Sequence, residues 1–312
     1  HKAQHESAAS GGQALIPEAE TLFLRTVVEL YEGYVRKLHE HDSIDWPGIL
    51  WRAQEKISNG DTVFYERGDF KGDLRNIKHL IIDEFQDFSE LYLGIIKGWR
   101  KYNPAGRLFA VGDDWQAING FAGADLKFFM NPETHFGQTK ILDITTNYRS
   151  DRSIVKAGNA IMKGVGKEAR PAENKSKGSV EIADHAEAIA FTQVEESVAG
   201  KFGGLVPTLL RLISRCLDSD KDQRVAVLTR VNQPRGIKGK ANAWVSVIKN
   251  LLDDDHKERI AFSTTHKFKG LQRPSIIILD SDRYPLIHPL WLFQCVLGKD
   301  VQEIEDGERR LF

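Results

Sequence analysis

Two pairs of adjacent acidic residues lie directly after short apolar runs in the first half of the chain. Asp83 and Glu84 follow the first run, and Asp113 and Asp114 follow the second. Side chains alternate along an extended strand, so neighbouring carboxylates at its end point in different directions. One can hold Mg²⁺ through water while the other orients a water that attacks a bound triphosphate. The alternative for a single Asp-Glu pair is two solvated acids at a strand end, and the second acidic turn favours the chemical interpretation.

The apolar runs that carry these acids alternate with segments of helical periodicity. They span residues 79–82, 108–111 and 140–144. Continuous apolar strands that alternate with helices predict a parallel sheet covered on both faces. Ligands of such sheets bind beyond the carboxyl ends of the strands, where Asp83 and Asp113 are expected to emerge.

A second region with the same alternation follows a polar stretch at residues 164–178. Its predicted elements are a strand at 180–182, a helix at 205–217 and strands at 225–228, 260–263 and 275–279. Upstream of the acids, the spacing of apolar residues predicts a helix over 17–41, and a proline in its first turn favours another over 47–57. The chain is therefore expected to be α/β with two lobes.

The composition describes a soluble globular protein. The 312 residues are 41% hydrophobic and 28% charged, with a net charge of −1 and two cysteines. No apolar run reaches the roughly 20 residues that span a bilayer, and two cysteines fit neither a disulfide framework nor a zinc site. We therefore expect no membrane association and a reducing, cytoplasmic location. The near-neutral charge argues against a DNA coat protein, but not against a protein with few DNA contacts in one cleft.

Six segments, in order along residues 79–312, resemble motifs of the UvrD/Rep branch of superfamily-1 DNA helicases. The first, Asp83–Asp87, is similar to the Walker B motif of that family. The others are Val111–Ile118 (third motif), Asn147–Ser150 (fourth), Val227–Asn232 (the return into the second motor lobe), Thr264–Gln272 (fifth) and Glu308–Leu311 (the opening of the sixth).

The resemblance implies ATP and Mg²⁺ as cofactors, and it implies roles for individual residues. Asp83 would coordinate Mg²⁺ through water, Glu84 would act as general base, Gln116 would sense the γ-phosphate, Tyr148 would stack on the adenine, Arg149 would reach the γ-phosphate, and Asp87 and Gln272 would lie at the nucleotide. A planar guanidinium suits the role of Arg149 because it neutralises charge spread over phosphoryl oxygens. A surface salt bridge for Arg149 and core packing for Tyr148 are the structural alternatives.

The same resemblance implies contacts with single-stranded DNA. Thr264 and His266 would touch the DNA backbone, with Arg230 and Asn232 as further candidates, and Phe121 would stack on a base. Phe121 as an ordinary core residue and His266 as a structural histidine are the alternatives.

The third motif departs from the family pattern. Relatives usually continue it with Tyr-Gly-Trp-Arg, whereas this chain has Asn119-Gly120-Phe121-Ala122. Stacking of a base on an aromatic ring is worth roughly 1–3 kcal/mol, so the loss of one ring is expected to weaken the grip on DNA.

The fold implied by the resemblance is α/β, with two RecA-like parallel-sheet lobes (the P-loop NTPase helicase fold) and a small helical insertion near the N-terminus. Residues 1–16 would be a linker or tail, 17–75 the helical insertion of the first motor lobe, 76–170 part of the first lobe, and 171–312 a truncated second lobe. The short interval between residues 232 and 260 leaves no room for a large accessory domain.

One element of a nucleotide-hydrolysing site is missing from the sequence. A P-loop needs Gly-x-x-x-x-Gly-Lys-Ser/Thr, whose backbone amides wrap the phosphates, and the 312 residues contain no such segment. The arginine that relatives carry late in the sixth motif is also absent. We expect a fragment whose P-loop segment lies outside this chain or in another chain, and an alternative is a natural degenerate helicase.

The sequence therefore predicts the motor portion of an ATP-dependent 3′-to-5′ translocase or helicase on single-stranded DNA, inactive alone because it lacks the P-loop. One rival is a non-hydrolysing module that binds DNA or a protein partner. A second rival is another P-loop enzyme such as a nucleotide kinase, which has no use for the Thr264–His266 segment.

Overall fold

The computed structural model describes residues 18–182, 192–232, 234, 237–238, 243–281 and 301–311. The predicted tail, residues 1–16, lies outside the described residues. The rest forms two compact units. The first unit comprises residues 18–114, 119–139 and 301–304, and the second comprises residues 115–118, the described residues between 140 and 281, and residues 305–311.

Helices and short strands alternate through most of the described chain. The helices are α1 (Glu18–Glu40), α2 (Trp46–Ser58), α3 (Glu90–Tyr102), α4 (Lys127–Met130), α5 (Pro132–Phe136), α6 (Arg152–Ile161), α7 (Gln193–Phe202), α8 (Leu205–Asp218), α9 (Ala243–Leu251), α10 (Asp254–Arg259), α11 (Thr265–Phe268) and α12 (Val301–Arg310). The strands are β1 (Val63–Glu66), β2 (Asp69–Asp73), β3 (His79–Ile82), β4 (Arg107–Ala110), β5 (Thr146–Asn147), β6 (Arg170–Pro171), β7 (Val225–Thr229), β8 (Ile260–Thr264) and β9 (Ser275–Ile278). None of the helices in these described segments is long and apolar enough to cross a membrane.

The first unit opens with the two predicted helices. α2 starts where the sequence indicates, because Asp45 accepts a hydrogen bond from the amide of Gly48 at 2.8 Å and Pro47 lies in the first turn. An antiparallel hairpin of β1 and β2 follows, which the sequence analysis did not predict. The hairpin turns at Arg67 and Gly68, whose φ angles of 53° and 88° suit a tight two-residue connection.

The core of the first unit lies under one face of a two-stranded parallel sheet. β3 and β4 pair from His79 with Arg107 to Ile82 with Ala110. Alternate side chains of the two strands pack on a buried aromatic cluster that contains Phe85, Phe88, Trp99 and Phe128. The Trp99 indole is 1% exposed and donates a hydrogen bond at 3.0 Å to the carbonyl of Ile77, two residues before β3.

The second unit is built on a three-stranded parallel sheet in the order β8-β7-β9. All five residues of the central strand, β7, are buried. Val225 and Val227 face a cluster that includes the apolar stripe of α8, whereas Ala226 and Leu228 face Phe268 of α11. A strand covered on both faces explains the continuous apolar run from which it was predicted.

Mixed α/β architecture with parallel strands is therefore confirmed, but two predicted strands are wrong. Residues 140–144, all described, form no strand, and the side chains of Ile141, Leu142 and Ile144 are exposed. Residues 180–182 likewise form no strand in the described structure. Both runs contain aliphatic residues, but among the described residues no neighbouring strand supplies the hydrogen bonds that a ladder needs.

Residues 140–170 have their contacts in the second compact unit, and the lobe boundary expected at residue 170 stays a prediction. Residues 140–170 group with the second unit because β5 pairs in parallel with β6, and the amide of Arg152 donates to the carbonyl of Ser176 at 3.1 Å. The guanidinium of Arg309 also donates to the carbonyl of Ile161 at 2.6 Å. These hydrogen bonds tie the segment to residues that follow position 170.

Candidate functional site

The acid turn, Asp83–Asp87, begins where β3 ends. Its backbone is anchored next to the neighbouring strand, since the amide of Phe85 donates at 2.8 Å to the carbonyl of Val111, the residue after β4. Glu84 adopts a left-handed conformation with φ 54° and ψ 43°, and its amide donates to the Asp83 carboxylate at 2.9 Å. A non-glycine residue in this conformation costs on the order of 1–3 kcal/mol and persists where the surroundings fix it. The turn exposes the carboxylates of both Asp83 and Glu84.

Gln86 fixes the position of the Glu84 side chain. It is 1% exposed, and its Nε2 donates to Glu84 Oε2 at 2.5 Å while its Oε1 accepts from the amide of Asp113 at 2.9 Å. Gly112 makes this possible, because a Cβ there would lie 2.7 Å from Gln86 Oε1. The sequence analysis gave Gln86 no role; the available signal was an uncharged amide between acids at a strand end.

Asn119 holds the last acid of the turn. Its Nδ2 donates to Asp87 Oδ2 at 2.9 Å. The sequence analysis treated Asn119 only as the loss of a stacking ring, whereas in the structure it positions a predicted nucleotide-binding carboxylate. The side chain of Phe121, the predicted base-stacking residue, lies outside the described atoms.

A cavity in the second unit gathers residues of the third to sixth motifs. Its volume is about 210 Å³, and its lining includes Gln116 and Arg149. The charged side chains among the described lining residues are Arg149, Lys269 and Arg310, all cationic. We call it the basic pocket. Three cationic residues in one lining suit a polyanionic group such as a phosphate chain. Lys269 and Arg310 were not predicted as site residues, although both lie in motifs that the sequence analysis singled out.

Arg149 reaches the basic pocket from a fixed turn after β5. The side chain of Asn147 accepts from the amides of Arg149 and Ser150 at 2.9 and 2.8 Å, and Lys175 donates to the carbonyl of Arg149 at 2.9 Å. The neighbouring Tyr148 ring is largely exposed. This exposure leaves the ring accessible for stacking and argues against the alternative of core packing.

The predicted DNA-contacting residues of the fifth motif sit at the start of α11. Thr264 caps this short helix, with its Oγ1 accepting from the amide of Lys267 at 3.4 Å. The pKa of His266 is lowered mainly by burial and secondarily by the positive charge of Arg230, and Glu308 partly offsets both effects. His266 therefore favours the neutral form at neutral pH.

Arg230 is held by a carboxylate. Its guanidinium donates to Glu308 Oε1 at 2.8 Å and to Oε2 at 3.1 and 3.2 Å. Two other candidates expose their side chains: Asn232, whose carbonyl accepts from Trp244 at 2.9 Å, and Gln272, whose carbonyl accepts from Arg273 at 2.9 Å.

The predicted site residues fall into two groups, each within one unit. The first unit holds Asp83, Glu84, Asp87 and Phe121; the second holds Gln116, Tyr148, Arg149, Arg230, Asn232, Thr264, His266 and Gln272. Carboxylates thus gather in the first unit, and the cationic and amide groups gather in the second.

Comparison with known proteins shows which proteins the chain is similar to. Residues 1–137 match the family described as UvrD/REP helicase N-terminal domain. The chain therefore resembles the UvrD/REP helicases. DNA helicase IV of Escherichia coli strain K12, which the third and fifth motifs also resemble, is 27% identical over 294 residues. That alignment covers 92% of this chain and 37% of the relative.

Other UvrD/REP-type relatives align over shorter stretches. ATP-dependent DNA helicase PcrA of Staphylococcus epidermidis is 26% identical over 162 residues, covering 52% of this chain and 20% of the relative. Putative ATP-dependent DNA helicase YjcD of Bacillus subtilis is 29% identical over 140 residues, covering 45% and 17%. The chain thus spans between about a sixth and somewhat over a third of the lengths of these relatives. The UvrD/Rep resemblance stated from the motifs is confirmed.

Proposed function

We propose that this chain is the motor portion of an ATP-dependent translocase that moves 3′ to 5′ along single-stranded DNA. The observation that carries the proposal is the acid turn, in which a buried amide holds Glu84 at the end of a parallel strand. Further support comes from the relatives, two of which are named ATP-dependent DNA helicases or putative ones. The two units would correspond to the two RecA-like lobes of such a motor.

Mg²⁺ fits the carboxylates of the first unit, and the phosphates of ATP fit the cationic residues of the second unit, each considered by itself. Mg²⁺ prefers carboxylate and water oxygens, which the exposed Asp83 and Glu84 side chains offer. The triphosphate is a polyanion, which suits the basic pocket with Arg149, Lys269 and Arg310. The cofactor pair supplies the reacting phosphoryl group and a Lewis acid. Asp83 would hold the metal through water.

The chain's own residues would then divide the remaining work. Glu84 would accept the proton of the attacking water, and Gln86 would keep its carboxylate oriented through the hydrogen bond to Oε2. Arg149 and Gln116 would contact the γ-phosphate, while Tyr148 would stack on the adenine. Asp87 and Gln272 would lie at the nucleotide.

Single-stranded DNA would be contacted mainly through the second unit. Thr264, His266, Arg230 and Asn232 are the proposed backbone contacts, and Phe121 of the first unit is the proposed stacking residue. Phosphate contacts of this kind make binding fall with rising salt.

Turnover would require a phosphate-binding loop that the printed sequence does not contain, supplied in cis or by another chain. The missing motif is also the observation that favours a second candidate function, a helicase-derived module that binds DNA or a protein partner without hydrolysing ATP. The two functions predict the same DNA contacts, and they differ in whether the acid turn does chemistry.

Steady-state ATP hydrolysis tests the proposal. The 312-residue chain is expected to hydrolyse little ATP with or without single-stranded DNA, because it lacks the P-loop whose backbone amides wrap the phosphates. The same chain joined to a P-loop-bearing segment of its own protein is expected to hydrolyse ATP faster when single-stranded DNA is added. Persistent inactivity of that longer form would favour the binding module. Turnover by the printed chain alone would refute the requirement for a P-loop.

A further inference from the structure

A carboxylate lies where a nucleic-acid phosphate is proposed to bind. Arg230, at the end of β7, presents its guanidinium edge to Glu308 through three hydrogen bonds of 2.8 to 3.2 Å. This two-pronged geometry is the one that arginine uses for both carboxylates and phosphates. Both residues belong to the second unit, 78 positions apart in sequence.

The ion pair of Arg230 and Glu308 is largely buried, but solvent still reaches it. The side chains of Arg230 and Glu308 are 18% and 17% exposed. A charge pair of this kind is nearly balanced, because desolvation offsets much of the attraction, and an uncompensated partner is unfavourable. Another anion can therefore replace Glu308 at a modest cost in free energy. Removal of the Glu308 charge without such a replacement leaves the charge of Arg230 uncompensated.

His266 lies within the electrostatic field of the same pair. The positive charge of Arg230 lowers the pKa of His266, and the negative charge of Glu308 raises it. The predicted backbone-contacting histidine, the arginine and the acid thus form one group, drawn from α11, the end of β7 and α12. With Glu308 in place, the positive charge of Arg230 is neutralised, and the group attracts a DNA phosphate weakly.

We propose that Glu308 is an internal substitute for a DNA phosphate, which occupies the anion site of Arg230 and must leave it before single-stranded DNA binds there. The inference rests on the proposed DNA-binding function of the second unit. Glu308 acts as a positioning residue that sets affinity and salt dependence. It belongs to the segment that resembles the sixth motif, so its release links DNA binding to the helix that also carries Arg310 of the basic pocket.

The test is the equilibrium binding of a fluorescein-labelled oligothymidine to the 312-residue chain, measured by fluorescence anisotropy at several salt concentrations. Glu308→Gln is expected to bind about tenfold more tightly, because Arg230 gains a phosphate partner through a charge-assisted hydrogen bond. The slope of log K against log salt should steepen by about 0.7, the value for one added phosphate contact on a single strand. Arg230→Gln should bind more weakly than the wild type, and the double variant should resemble Arg230→Gln.

Glu258→Gln is the matched control. Glu258 is an exposed residue of α10 in the same unit, and its replacement changes the net charge equally. A purely structural role for Glu308 predicts that Glu308→Gln and Arg230→Gln change affinity in the same direction, and that result would overturn the proposal. So would equal affinities of Glu308→Gln and Glu258→Gln.

Two further outcomes separate this inference from the proposed function. Binding by the wild type without tightening in Glu308→Gln refutes the role of Glu308 and leaves the proposed function intact. No binding by any variant refutes both. If circular dichroism shows that Glu308→Gln does not fold, Glu308→Asp is measured instead, because its side chain is one methylene shorter and its carboxylate lies farther from Arg230. Glu308→Asp should bind DNA more tightly than the wild type. Equal or weaker binding refutes the role of Glu308.

Discussion

Replacing Glu84 by glutamine is expected to lower DNA-stimulated ATP hydrolysis roughly 10²- to 10⁴-fold in a form of the protein that carries a P-loop. This loss corresponds to about 3–5 kcal/mol of transition-state stabilisation. The reason is that the amide keeps the shape of the side chain and a contact with Gln86, but cannot accept the proton of the attacking water. The measurement is the steady-state release of phosphate with saturating single-stranded DNA.

Glu90→Gln provides the control for a lost carboxylate close by in the sequence. Glu90 begins α3, its side chain is exposed, and it forms a long ion pair of 3.7 Å with Lys127. Its replacement is expected to leave hydrolysis unchanged. DNA binding by Glu84→Gln should also be unchanged, which would show that the variant is folded. Hydrolysis by Glu84→Gln at the wild-type rate would show that Glu84 is not the general base.

Replacing Trp99 by alanine is expected to destabilise the first unit by about 3–5 kcal/mol. Trp99 is 1% exposed, and the loss of its indole opens a cavity beneath β3 and leaves the Ile77 carbonyl without its donor. The site has little room to relax: a Cβ on Gly106 would already lie 2.6 Å from the Trp99 ring. Urea unfolding followed by circular dichroism measures the change, with one transition fitted for each unit.

Trp46→Ala is the matched control because the Trp46 side chain, at the start of α2, is 80% exposed. Surface substitutions of this type usually change stability by no more than about 0.5 kcal/mol. Equal effects of the two substitutions would contradict the packing described for the first unit. Because Trp99 lies under β3, hydrogen exchange at the amide of Phe85 should also accelerate in Trp99→Ala.

The elements predicted best from the sequence are those in which a continuous apolar run is covered on both sides. β7 is the clearest example, because helices and neighbouring strands bury every residue from Val225 to Thr229. The run at 140–144 also carries three large aliphatic residues, but Lys140 and Asp143 interrupt it, and only Thr146–Asn147 beyond it enters a ladder. A few aliphatic residues in a row therefore do not by themselves identify a buried strand.

The chemistry of the site was only partly visible in the sequence. Adjacent acids after a strand identify Asp83 and Glu84, but the role of Gln86 depends on a left-handed turn that brings its amide between Glu84 and the backbone of Asp113. The pairing of Arg230 with Glu308 joins residues 78 positions apart, and no local pattern indicates it. Such roles arise from tertiary structure and need coordinates to be recognised.

The most direct measurement is the binding of single-stranded DNA by the 312-residue chain. The protein is titrated into labelled oligothymidine at low and at high salt. Saturable binding that weakens as salt rises is expected, since the proposed contacts of the second unit are to phosphates. His266→Asn should weaken it, whereas His41→Asn, at an exposed position after α1, should leave it unchanged. No saturable binding at low salt, or binding indifferent to His266, would contradict the assignment of this chain to a DNA motor.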